Sequence, residues 1–340
     1  MYRYHLKVAA LTAALIALAF GYVRADSGTS TTIPVGNSPV VRLQMRTGHV
    51  TIRTWNQQQI QIDATQPVQT QQFDAGAVSR ALRAGDLSIL ATTVQTPNGP
   101  LTLPAEDFSL NSVTPGDHDG VAIFGGDTGA TLVVTVPAST ALMWVNVGHG
   151  TIDIQDYRSG TFVARVHNGG IRLQNVSGDG YVEAARGPIF VKNSAMNRLR
   201  ARTAVGNILF ENCNARQIEV SSISGSIAYD NGTFVPGLAR FESQSGNVAI
   251  GVAGGGVQIG AHSSSGKIFE NLQGAGNVRG GQNDAQATIS GGGPVVTASS
   301  QSGAVYLYTG SLAGRARLPN QWRPAGRIVH PRFPRPSGRP

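Results

Sequence analysis

Apolar and polar residues alternate with a period of two in short runs along most of the chain, and the runs break at glycine. A Gly-x-Ile/Val signature recurs at Gly150, Gly169, Gly187, Gly206, Gly225, Gly246, Gly266 and Gly303, with a degenerate copy expected near Ala285. Ile152, Ile171, Ile189, Ile208, Ile227, Val248, Ile268 and Val305 follow the eight clear anchors by two residues. Two further on, the column is again apolar except at Glu270. A second alternating run precedes each anchor, as in Met143-Val145-Val147, Phe162-Ala164-Val166 and Ile218-Val220-Ser222, and its side chains shrink towards the glycine. A period of two marks strands with one buried face. Each unit of about 19 residues therefore predicts two short strands joined at a tight glycine corner.

A unit of that size cannot bury its own apolar face, whereas stacked units share a continuous one. The pattern predicts an all-β fold: a single-chain parallel β-solenoid of about nine short rungs, with an N-terminal strand module and a disordered C-terminal tail. An immunoglobulin-like sandwich is the alternative, but it would show no fixed period. The reading divides the chain into a signal peptide (1–25), an N-terminal module (26–130), the repeats (131–310) and a Pro/Arg-rich tail (311–340).

Two polar columns test the register. Asp156, Asn175, Asn193, Asn212 and Asn231 each lie six residues after an anchor, where stacked amides can form a ladder. Arg165, Glu183 and Arg202, and likewise Arg200, Glu219 and Arg240, place opposite charges on successive rungs.

Before the regular rungs, Val40 to Ile62 repeats the strand pattern around Gly48. Asp74 to Ala84 reads as a short helix, Leu87 to Val94 as a strand, and Thr96 to Gly129 as a long polar loop. Long irregular loops are often functional, so this one is the first place to look for a ligand. The N-terminal module would cap one end of the stack. At the other end, Val305 to Leu307 lacks a polar cap, and the reading there is an end-to-end homo-oligomer.

Composition sharpens the picture. With 43 glycines in 340 residues, 14% charged and 6% aromatic, a helix-rich enzyme is disfavoured, while 41% hydrophobic residues are enough for a core. Arg3, His5 and Lys7, then Val8 to Phe20, then Val23-Arg24-Ala25 read as a secretory signal cleaved before Asp26. Kept uncleaved, Leu6 to Val23 would be an anchor at the short end of membrane-spanning length. Export places the chain in the periplasm, at the outer envelope or outside the cell. Cys213 is the only cysteine, so no intramolecular disulfide supports the fold.

The net charge of +8 belongs mostly to the tail. Residues 26–314 hold 17 basic and 19 acidic side chains, whereas the tail carries Arg315, Arg317, Arg323, Arg327, Arg332, Arg335 and Arg339 with no acid. The tail reads either as a contact for an anionic envelope polymer or polysaccharide, or as a solvated terminus. Sequence-specific nucleic-acid binding is not expected.

Candidate chemistry is sparse. Asp117-His118-Asp119-Gly120 makes Asp117 and Asp119 the candidate metal ligands, without the rest of a calcium loop. His49 and His149 read as corner residues and Cys213 as a passive turn residue. Asp153, Asp156, Asp179 and Glu183 could supply a carboxylate pair, but no rung is long enough to hold an active-site loop. No cofactor motif is found and no catalytic residue is assigned.

The stretches "RTGHVTIRTWNQQQIQI" (Arg46 to Ile62) and "TLVVTVPASTALMWVNVGHGTIDI" (Thr131 to Ile154), with the rungs that follow, resemble the bacterial putative-adhesin domain of exported β-solenoid proteins over residues 33–310. That resemblance implies the solenoid fold and an adhesin-like role, and it carries over no functional residue. The resulting expectation is a non-catalytic exported cell-envelope protein, a structural or binding module. The alternative is a carbohydrate-active β-helix enzyme acting on an acidic polysaccharide.

Overall fold

The computed structural model describes residues 23–25, 29–74, 92–96, 99–103, 119–125, 129–273 and 275–311. The expected signal segment up to residue 22, the helix expected over Asp74 to Ala84 beyond its first residue, and the arginine-bearing tail lie outside the described residues.

The described residues are all β, without helix. Rungs stack in parallel, each with a first and a second strand on either side of its glycine corner. Thus Leu142–Gln155 pairs residue for residue with Thr161–Gln174, and Met143, Phe162 and Gly150, Gly169 fall opposite one another. Alternate residues point inward: Val145, Val147, Ile152 and Ile154 are fully buried. A short third side forms where Ser177, Ala195, Asn214 and Thr233 stack after the turn.

The corner explains the glycine period. Gly169 has φ 140°, and a Cβ there would lie 1.6 Å from the carbonyl oxygen of Gly150 on the rung beneath. The small residue three positions before the anchor has a hydrogen-bonding role as well as a steric one. Ser243 Oγ donates to the Gly225 carbonyl at 2.9 Å, and Thr203 and Ser222 make the same bond to Gly187 and Gly206.

Rungs do not all stack in chain order. The strands Leu238–Ser245 and Val248–Val252 are followed in space by Val295–Ser300 and Val305–Thr309, and only then by Val257–Ser263 and Ile268–Asn271. The corner contacts agree, since Gly303 sits on Gly246 and Gly266 on Gly303. The chain skips one level after Val252, builds the next, and returns to fill the gap. Glycine runs at both crossings make this possible: Gly254 and Gly255 have open space, Gly291 and Gly292 have positive φ, and Gly256 meets Gly292 backbone to backbone.

Two expectations are corrected by this order. Ala285 is not a rung corner: Asp284–Ile289 runs antiparallel to Val257–Ser263, with Ala275–Gly280 beyond it. Nor is Val305 to Leu307 an open edge, because Val305 pairs with both Val248 and Ile268. Period alone could not reveal this, because a displaced rung has the same internal spacing as one in sequence. The exception in the inner column is explained too: Glu270 lies on the outermost rung and is exposed.

The N-terminal end uses the same device. Val40–Trp55 has Leu142–Gln155 on one side, and on the other the strands Asp119–Gly125 and Ala130–Pro137. The stack therefore reaches into the 26–130 segment. Among the described residues of the expected Thr96 to Gly129 loop, Gly99–Leu103 pairs with Thr92–Thr96 and Asp119–Gly125 is half a rung. Gln59–Ala64 and Val68–Asp74 then run antiparallel along that end.

Candidate functional site

On several rungs before Leu238 the outward side chains of the first strand stack on or pair with one another. Arg42 lies 4.9 Å over the Trp144 ring and Arg165 lies 5.1 Å over Tyr181, with both aromatics buried. Further along, Arg200 pairs with Glu219 at 2.7 Å. Burial first, then the neighbouring Glu183, pushes the Tyr181 phenol up to about 12.

From Leu238 onwards the face opens into a groove of about 700 Å³. Register places two rows of side chains across it. One row reads Arg240, Thr297, Gly260, Gln286, Arg279 across five adjacent strands. The second reads Glu242, Ser299, His262, Asp284 beside it. At about 4.8 Å per strand the first row spans about 19 Å.

The middle of the first row is empty by construction. Gly260 faces outward at a strand-interior position, and a Cβ there meets nothing within 4 Å. A glycine inside a strand commonly marks a close approach by something else. Arg240 is paired with Glu242 at 2.5 Å, and His262 Nδ1 lies 2.6 Å from Asp284 Oδ1. The side chains of Arg279, Gln286 and Ser299 have no hydrogen bond or ion pair among the described residues. Leu238 and Val295, 46% and 53% exposed, form an apolar rim.

The groove also holds the outline of an acyl-transfer relay, with Ser264 Oγ 3.4 Å from His262 Nε2 and Asp284 behind it. The chemistry requires N–H groups aimed at a developing oxyanion. Here the nearby amides are spent: Ser264 N donates to Ser300 O, Ser265 N to Gln301 O and Gly266 N to Ser263 Oγ. The imidazole and carboxylate are 53% and 76% exposed, so the site is wet as well.

The residues singled out from sequence lie elsewhere. Asp119 opens a rung strand, and its carboxylate accepts the Gly36 N–H at 2.6 Å, while Asp117 is outside the described residues. Among the described residues no cluster of three His, Cys, Asp or Glu has metal-binding geometry. Arg315, Arg317, Arg323, Arg327, Arg332, Arg335 and Arg339 are outside the described residues. Asp156, Asn175, Asn193, Asn212 and Asn231 occupy one corner with φ between 50° and 55°. Asn175 Nδ2 donates to Asp156 Oδ1 at 2.9 Å, Asn212 Nδ2 to Asn193 Oδ1 at 3.2 Å and Asn231 Nδ2 to Asn212 Oδ1 at 2.6 Å. Asparagine is among the few residues that tolerate this left-handed conformation.

Of the other candidate carboxylates, Asp153 is buried beside Gln155, Asp179 accepts from Asn197, and Glu183 accepts from Tyr181 and meets Arg165. His49 Nδ1 lies 2.8 Å from Thr151 Oγ1, and His149 meets His167 edge to face. Cys213 is buried, with its thiol pushed up to about 11 by burial.

Sequence reading missed the groove because its residues come from five strands that the displaced rung and the antiparallel strands beyond Gly260 bring together. The available signal was the break at Gly260 in the outward column that Arg240 had continued.

No curated protein matches the chain. A solved structure titled as a putative cell adhesion protein from Clostridium sporogenes aligns over 85% of this chain and 99% of that chain, at 8% identity and a TM-score of 0.23. A likeness that distant says nothing of activity. The family model described as Toastrack DUF4097 matches residues 43–307, in line with the adhesin-domain resemblance of the glycine and aliphatic spacing. The chain belongs to the Toastrack DUF4097 family, whose function is unknown.

Proposed function

We propose that this protein is an exported, non-catalytic, adhesin-like module of the cell envelope that binds an extended polymer in the groove between Leu238 and Asp284. The observation that carries the reading is the row from Arg240 to Arg279, with an open floor at Gly260 and unpaired polar groups above it. Solenoids present such extended surfaces without an active-site loop. Export rests on the basic, apolar and small-residue segments before Asp26. The arginine tail supplies a second, less selective contact for anionic surfaces.

Pull-down of the chain from Asp26 against cell-wall polysaccharide, lipopolysaccharide and DNA tests the reading. Gly260→Val fills the groove, and replacing the seven tail arginines by glutamine removes the other contact. Polysaccharide capture lost in Gly260→Val supports the groove. Capture that depends only on the tail arginines overturns it.

A further inference from the structure

We propose, resting on the groove reading above, that the polymer is a polysaccharide bearing carboxylates, a uronic-acid chain of which a few sugars lie along the solenoid axis with one carboxylate on Arg279. The groove lies on the face of a sheet, where the strand ladders already use the backbone donors and acceptors. A peptide recognised by strand addition needs a free edge. Among the described residues the strands of the floor around Gly260 are paired on both sides and only Ala275–Gly280, at the end of the row, is paired on one, so recognition over Gly260 runs through side chains. Those on offer, Gln286 and Ser299, are an amide and a hydroxyl, suited to a ligand rich in hydroxyl groups, while the Thr297 hydroxyl donates to the Ala239 carbonyl.

Charge narrows the class further. Glu242 lies 2.5 Å from Arg240 and Asp284 2.6 Å from His262, so each acid that faces the groove already has a partner. Arg240 is already engaged by Glu242, whereas Arg279 has no acidic partner among the described residues. The groove thus offers one free guanidinium at one end of a floor that carries hydroxyl and amide groups. A guanidinium fork matches a carboxylate in two parallel hydrogen bonds. A sugar ring would sit over Gly260, where any side chain would displace it.

Tetramers of galacturonate and of mannuronate, with the methyl ester of the former as neutral control, are the probes. Binding is read from backbone amide signals of Gly260, Gln286 and Ser299 in the full chain, which separates the groove from the tail. At least one acid tetramer is expected to shift these signals, and Arg279→Gln is expected to weaken it about tenfold, the loss of one charge-assisted pair. The ester is expected to bind wild type and Arg279→Gln alike and more weakly. Equal affinity for acid and ester, or an unchanged acid affinity in Arg279→Gln, overturns the carboxylate assignment and leaves the groove reading standing. Gly260→Val has space for its side chain and is expected to abolish both. Undiminished binding in that variant, or no shift with any probe, overturns the groove reading as well.

Discussion

Tyr308 Oη donates to Asp230 Oδ1 at 2.9 Å, across two rungs and 78 positions of sequence. Tyr308 lies on the displaced rung, directly above Gly251, and its ring reaches down past that glycine to the carboxylate. Ser311 Oγ donates to the other oxygen of Asp230 at 3.0 Å. A buried acid on one rung thus ties down the strand that fills the gap two rungs away.

Removing the phenol oxygen leaves Asp230 buried with one donor fewer. Tyr308→Phe is expected to lower stability by about 1–3 kcal/mol, the cost of an incompletely satisfied buried charge. Urea unfolding would measure it, and an unchanged midpoint would show that the bond contributes nothing.

Glycine is required at some positions and incidental at others. Gly169→Ala puts a Cβ against the Gly150 carbonyl in a backbone region that L-residues avoid, so a loss of about 3 kcal/mol or more is expected. Gly260→Ala meets nothing and is expected to change stability by about 0.5 kcal/mol or less. Thermal melts of the two variants side by side check the contrast.

Asp153 is buried, its Oδ1 has no partner, and burial outweighs Gln155 and the nearby arginines to raise its pKa. An acid whose pKa is higher folded than unfolded holds its proton better in the native state. Its full stability is present below the unfolded value, about 4, and is lost as pH rises through the folded one. Asp153→Asn is therefore expected to be more stable than wild type at pH 7, by on the order of 1 kcal/mol. That advantage should disappear below about pH 4 in a pH series of unfolding curves.

The Cys213 thiol, pushed up to about 11, is almost wholly protonated at pH 8. Thiolate is the reactive form. Iodoacetamide is expected to leave the native protein unlabelled at pH 8 and to label it once on denaturation, as mass spectrometry would show. Rapid native labelling would contradict the buried placement.

The chain alone determined what is local and repeated. Ile152 and Ile171 point inward because a strand alternates, and Gly150 and Gly169 recur because backbones touch where rungs turn. Asp156 and Asn175 share a corner because their spacing follows that of the glycines. Such features depend on one rung and its neighbour, and every repeat restates them. Tertiary structure alone decided which rung neighbours which. Val305 carries the same spacing whether it follows Ile268 or slips between Val248 and Ile268, because parallel strands of one design are interchangeable partners. The choice rests on the glycine crossings at Gly254–Gly256 and Gly291–Gly293 and on contacts such as Tyr308 with Asp230. The groove was invisible for the same reason: Thr297 enters between Arg240 and Gly260 only after the chain has gone past its next level and come back, and the antiparallel strands that follow Gly260 add Gln286 and Arg279.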